Sequence, residues 1–218
     1  MEYDQCGRKM ITTTYGKLDA KTVLIQMVNE HDLECMESEV AEIQKLTDED
    51  FCLIAMNIRN WNIDLSPWEA PAVFGNDHFG DGAAATLSEV MEICKDKEKT
   101  YIIGGYSLAG LFALWASCQV DIFKAVAAAS PSVWFPGFVE YMKENRIYAD
   151  TVYFSLGDRE EKTGNPVMAS VGDRIRQAYE VLKEQGINTV LEWNRGNHFR
   201  DTEIRMAKAF AWVRREDN

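Results

Sequence analysis

The stretch Tyr101-Ile102-Ile103-Gly104-Gly105-Tyr106-Ser107-Leu108-Ala109-Gly110-Leu111-Phe112-Ala113-Leu114-Trp115 decides how this chain is read. Its first residues form a short apolar run that reads as a buried strand, and from Leu108 onward the residues are apolar on every side of a helix. Between the two stands one serine among small residues. A strand that turns directly into a helix at a serine lifts the hydroxyl above the sheet in a strained backbone conformation, the nucleophile elbow. The helix folds straight back over the strand, so Gly104, Gly105, Ala109 and Gly110 have to be small. The common form of the motif is Gly-x-Ser-x-Gly; Ala109 stands at its last position and adds one methyl. The pattern is short enough to occur in an ordinary glycine turn, so its weight depends on the rest of the chain.

Around it, strand and helix alternate with regularity. Apolar strands are expected at 23–28, 51–58, 101–105, 124–129, 152–156 and 188–193. Helices are expected at 34–46, 83–94, 108–117, 138–145, 167–184 and 202–214, where apolar residues recur at helical spacing, as Met36, Val40, Ile43 and Leu46 do. Near-continuous apolar strands separated by helices predict an α/β fold: a mostly parallel sheet of about six strands covered on both faces. The 218 residues fit one domain, with a core over about 20–214, and there are neither internal repeats nor a linker. One connection is too long to be a plain turn. Residues 59–82 carry Trp61, Pro67, Trp68, Pro71, Phe74 and Gly75 with no clear period, directly after a strand end where parallel sheets bind ligands, and they are expected to form a pocket wall.

Composition excludes several classes of partner. A net charge of −12 makes no electrostatic case for nucleic acid or for an anionic membrane. The first apolar run, Val23 to Val28, is six residues long and is followed by charge, which predicts a cytoplasmic chain without signal peptide or membrane span. Five scattered cysteines, Cys6, Cys35, Cys52, Cys94 and Cys118, contain no C-x-x-C and fit free thiols in a reducing compartment.

A serine hydroxyl needs a base to take its proton, normally an imidazole oriented by a carboxylate. Of the three histidines, His31, His78 and His198, only His198 follows the last strand and precedes the last helix, in Arg195-Gly196-Asn197-His198-Phe199. That is the slot for the base in the chain order Ser, acid, His. The acid is expected after the fifth strand, in Gly157-Asp158-Arg159-Glu160-Glu161. Gly-x-x-Glu spacing favours Glu160, but spacing alone does not separate it from Asp158 or Glu161, whose partners would be Arg159 or Lys162. Oxyanion donors are expected from the backbone N–H of Leu108, at a helix N-terminus, and from the turn after the first core strand, there assigned to the N–H of Glu30. Trp134 and Phe135, in Ser130-Pro131-Ser132-Val133-Trp134-Phe135-Pro136, are candidates to line a substrate pocket with Trp61 and Trp68. Asp77 and Asp81 flank His78, but no second histidine stands at ligand spacing, and no metal is expected.

The elbow Gly-Gly-Tyr-Ser-Leu-Ala-Gly, the Ser-Pro-Ser-Val-Trp-Phe segment, the Leu-Gly-Asp-Arg-Glu-Glu turn and the terminal Gly-Asn-His together resemble an esterase family of the α/β-hydrolase superfamily. That family includes esterase D-like hydrolases, feruloyl and acetyl-xylan esterases, and siderophore esterases of the enterochelin type. The resemblance spans residues 20 to 214. It departs at Ala109 and in lacking a glycine-rich oxyanion sequence, and the chain is too short for a separate cap domain. It implies a serine esterase with Ser107 as nucleophile, His198 as base and Glu160 or Asp158 as acid, acting through an acyl-enzyme on a small-molecule ester and needing neither metal nor organic cofactor. The alternative is a binding protein on the same fold that has lost its chemistry.

Overall fold

The computed structural model describes residues 11–48, 50–73 and 75–215; Cys6 and Phe74 lie outside the described residues. Seven strands form one sheet: β1 (Ile11–Gly16), β2 (Thr22–Val28), β3 (Cys52–Asn57), β4 (Thr100–Tyr106), β5 (Phe123–Ala129), β6 (Thr151–Gly157) and β7 (Asn188–Asn194). Their order is β1-β3-β2-β4-β5-β6-β7, parallel throughout except for β1, which runs antiparallel along β3 with Ile11 opposite Asn57. The sheet therefore has one strand more than the six expected from the sequence. Ile-Thr-Thr-Thr-Tyr-Gly has no apolar run, because this edge strand is exposed along most of its length and is held by backbone pairing rather than by burial.

Two apolar layers sandwich the sheet. On one face α1 (Glu30–Leu46) and α8 (Thr202–Val213) cover Leu24, Leu53, Ile102 and Tyr153. On the other, α3 (Ala83–Ile93), α4 (Leu108–Gln119), α5 (Phe138–Glu144) and α7 (Val171–Glu184) cover Ile25, Ile103, Val126 and Phe154. Every residue of α4 from Leu108 to Ser117 is buried, which is why its sequence shows no polar face. Burial pushes the free thiols of Cys94 and Cys118 up to about 12.

Three local differences from the sequence reading bear on the site. Helix α1 begins at Glu30 rather than at residue 34, because the Asn29 side chain accepts from the Asp32 N–H while the Asp32 carboxylate accepts from the Asn29 N–H, a reciprocal cap. The long segment after β3 is not structureless. It forms one helical turn, α2 (Trp61–Asp64), and a bridge pairs Ala70 with Phe79. The helix expected over 167–184 is two pieces, α6 (Pro166–Ala169) and α7, separated at Ser170.

Candidate active site

All the strands that lead to the candidate residues end on one side of the sheet. Ser107 follows β4, Ser130 and Ser132 follow β5, Glu160 follows β6 and His198 follows β7, so the carboxyl ends of four adjacent parallel strands converge.

Ser107 occupies φ 57, ψ −121, a conformation that L residues seldom adopt. It is fixed from both sides: its N–H donates to the Ala129 carbonyl at 3.1 Å, and its carbonyl accepts from Ser132 N–H at 3.0 Å. The close turn explains the small neighbours. A Cβ on Gly105 would lie 2.5 Å from the Ala109 backbone and methyl. Ala109 can therefore carry its methyl only because Gly105 carries none.

His198 bridges the serine and a carboxylate. Its Nε2 stands 3.0 Å from Ser107 Oγ and its Nδ1 2.7 Å from Glu160 Oε2. An ionised carboxylate only accepts, so Nδ1 carries the proton and Nε2 is left to accept from the serine hydroxyl. The tyrosine before the serine steadies the ring. Tyr106 Oη donates to the His198 carbonyl at 2.8 Å, and the two rings lie 5.2 Å apart, centre to centre. Burial pushes the Tyr106 phenol up to about 12, so it remains a donor.

Of the three neighbouring carboxylates, Glu160 is the one brought to His198. Asp158 instead accepts from the Gly196 N–H at 2.8 Å, and Glu161 pairs with Arg176. The Glu160 side chain is 4% exposed. Its Oε1 accepts from the Gly157 N–H (2.7 Å), the Ser130 hydroxyl (2.8 Å) and Arg205 Nη1 (3.0 Å), which leaves Oε2 for the imidazole. Burial on its own would raise this carboxyl, but the hydrogen bond and charge of His198, with the Ser130 and Gly157 donors, hold it below the ordinary carboxylate range. Gly157 is required here, because a Cβ would meet the Gly196 carbonyl at 2.4 Å and Glu160 Oε1 at 2.9 Å.

Arg205, 2% exposed in the middle of α8, was not anticipated from the sequence. Its guanidinium also donates to Tyr106 Oη (2.9 Å), Ser130 Oγ (3.3 Å) and the Asn197 carbonyl (3.0 Å), and so ties the acid loop to the histidine loop. The only sequence signal was a cation beside Met206 and Ala207 on a helix face otherwise turned inward. Ser132 was also missed, having been read only as part of an aromatic segment; its hydroxyl lies 3.2 Å from Ser107 Oγ.

These groups open onto a cavity of about 430 Å³. Trp61, Trp134 and Leu108 line it, together with Phe79, Met168, Val171 and Phe199. Two expected wall residues do not. Trp68 packs against Phe135, Phe138 and Tyr141 and donates its indole N–H to the Pro136 carbonyl, and Phe135 is buried against Trp68 and Phe79. Both rings serve the packing behind the wall. Glu30 and His31 occupy the exposed first turn of α1, away from the cavity lining, because the cap shortens the turn after β2 to Asn29 alone. His78, with Asp77 and Asp81, is exposed in the loop before α3.

No family model and no curated protein matches this chain; its likeness is to solved structures. It superposes on an IroE-like serine hydrolase from Shewanella oneidensis with a TM-score of 0.76 at 14% identity, over 95% of this chain and 76% of that one. The siderophore hydrolase EstB from Aspergillus nidulans gives a TM-score of 0.70 at 13% identity, over 96% and 92% of the two chains. Est1E from Butyrivibrio proteoclasticus gives 0.58 at 15%, over 92% and 90%. The protein therefore has the α/β-hydrolase fold, the fold shared by these esterases and serine hydrolases. Among the described residues no helix is long and apolar enough to cross a membrane.

Proposed function

We propose that this protein is a serine hydrolase of carboxylic esters, with Ser107 as nucleophile, His198 as general base and acid, and Glu160 as the orienting carboxylate. One observation carries the reading: an unbroken chain of hydrogen bonds runs from a buried, charged Glu160 through His198 to a serine held in a strained turn at the wall of an apolar cavity.

In the first half-reaction Ser107 Oγ bonds to the ester carbonyl carbon and its proton passes to His198 Nε2. The carbonyl–alkoxide bond then breaks, and the alkoxide leaves with that proton as a free alcohol. In the second half-reaction one water, deprotonated by His198, attacks the acyl-enzyme and releases the acid and Ser107. Glu160 supports the imidazolium that forms in each half. The N–H of Leu108, at the free N-terminus of α4, faces the developing oxyanion. Glu30, to which the second contact was assigned above, does not line the cavity; the Ser132 hydroxyl does, 3.2 Å from Ser107 Oγ, and can supply that contact instead.

The likeness to siderophore hydrolases and to an IroE-like serine hydrolase supports a small-molecule ester as substrate, and the absence of basic surplus in the chain agrees with it. A reducing, cytoplasmic setting is consistent with the unpaired thiols. The alternative, a binding protein without turnover, is favoured by the lack of any cavity residue from the β2–α1 turn. Hydrolysis of a p-nitrophenyl ester series from acetate to octanoate separates the two. The esterase reading expects turnover that falls to background in Ser107→Ala; a folded wild type inert across the whole series sinks it.

A further inference from the structure

The charges around the cavity run against those of the protein as a whole. The chain has 35 acidic and 23 basic side chains, yet the cavity wall sets Arg159 and Lys162 against a single carboxylate, Glu160. That carboxylate is buried and already bonded to Arg205 and His198. The tight turn Glu160–Lys162 creates the arrangement. With three residues per turn, Arg159 and Lys162 fall on the same side and stay exposed, while Glu160 points inward.

The carboxylates that could neutralise this pair are engaged elsewhere. Glu161 turns to Arg176. Asp158, which lies near both cations and is held below its ordinary range first by the Gly196 N–H and then by their charge, makes its direct contact with that N–H. Among the described residues neither Arg159 nor Lys162 forms an ion pair or a side-chain hydrogen bond. The rest of the wall is uncharged apart from His198, mixing polar side chains such as Asn62, Thr163 and Asn197 with apolar ones, and Phe199 among the latter is 84% exposed with its ring edge-on to His198 at 5.3 Å. An exposed phenylalanine and two unpaired cations around one opening form a complementary surface for a molecule that is apolar in one part and negative in another.

We propose that the substrate is an anionic ester: a ring-sized apolar portion lies against Trp61, Trp134 and Phe199, and a carboxylate elsewhere on the molecule meets Arg159 and Lys162. The hydrolytic half of this inference rests on the esterase reading; the binding half does not. Recognition of the carboxylate by two exposed cations contributes through a screened interaction, so it is salt-sensitive.

The test uses matched pairs that differ only in charge. Methyl 4-carboxyphenylacetate and its 4-carbamoyl counterpart place the charge on the acyl side; 4-carboxyphenyl acetate and 4-carbamoylphenyl acetate place it on the alcohol side. At low salt kcat/KM for the acid exceeds that for the amide about 5- to 10-fold in at least one pair. The ratio falls toward one in 1 M salt and in Arg159→Gln/Lys162→Gln, and by part of that in each single variant, but not in Lys124→Gln, which removes one cation at the opposite end of β5. In parallel, Ser107→Ala protein is titrated with 4-phenylbutyrate and 4-phenylbutyramide, followed by the fluorescence of the wall tryptophans. Tighter binding of the carboxylate by a similar factor, lost in the triple variant, supports the anion site even if no ester turns over. Turnover of both members of each pair at equal rates, with equal binding of acid and amide, overturns the proposal and leaves the esterase reading standing.

Discussion

Two glutamates are buried among the described residues, Glu160 and Glu39, and their surroundings have opposite consequences. Glu160 has three donors on one oxygen, an imidazole on the other and a buried guanidinium among its partners, and its carboxyl is held below the ordinary range. Glu39, in α1, has one partner, the Gln26 amide at 3.3 Å, and burial pushes it up to about 8, with Asp32 and Glu203 adding repulsion. Both Glu39 Oε1 and Gln26 Oε1 are otherwise unpartnered, an arrangement that suits a protonated carboxyl. Burial by itself neutralises an acid; only a built set of donors and cations keeps one charged out of water. Glu160, in the proposed triad, has such a set, and Glu39 on the α1 side does without.

The largest way to break the contrast is to remove the charge at Glu160. Glu160→Gln is expected to lower kcat about 10³–10⁴-fold while leaving KM nearly unchanged, because the amide no longer supports imidazolium in the transition state. Next is the cation behind it. Arg205→Met leaves Glu160 buried with fewer partners, and urea unfolding is expected to show a loss of about 3–5 kcal/mol, with Arg205→Lys losing less.

pH separates the two acids by sign. The native Glu160 pKa is depressed, so its contribution to stability is present above the ordinary carboxylate range and is lost as pH falls through its lower native value. The native Glu39 pKa is raised, so the folded state holds a proton that the unfolded chain has already released, and stability declines as pH rises from about 4.5 to about 8. Glu39→Gln is expected to flatten that decline and to be more stable than wild type at pH 9 by about 2 kcal/mol. A decline that persists in the variant would assign it to other groups. The smallest effects fall on the acids next to Glu160: Asp158→Asn and Glu161→Gln are expected to change kcat less than about 3-fold, since neither touches His198.

How far the sequence foretold these features follows the physics of each. The buried strands and α4 were legible because burial on both faces leaves an apolar run, and the Gly157–Glu160 spacing pointed to the carboxylate that the structure sets against His198. Edge strand β1 was not legible, since Thr12, Thr13 and Thr14 are held by backbone pairing to β3 and carry no hydrophobic pattern. The start of α1 was hidden by its polar first turn, although Asn29 and Asp32 stood at cap spacing. Trp68 and Trp61 look alike in sequence; only the fold of the 59–82 segment decides that one faces the cavity and the other Phe135. Arg205 was least legible, because a guanidinium is tolerated there only through acceptors from three other segments far apart in the chain.

The most direct test of the central claim, that the Glu160–His198 pair activates Ser107, is labelling with a fluorophosphonate followed by intact mass. The account predicts one adduct per wild-type chain, mapped to Ser107, absent from Ser107→Ala and formed far more slowly in Glu160→Gln. A folded wild type that takes no label, or Glu160→Gln protein labelled at the wild-type rate, would contradict it.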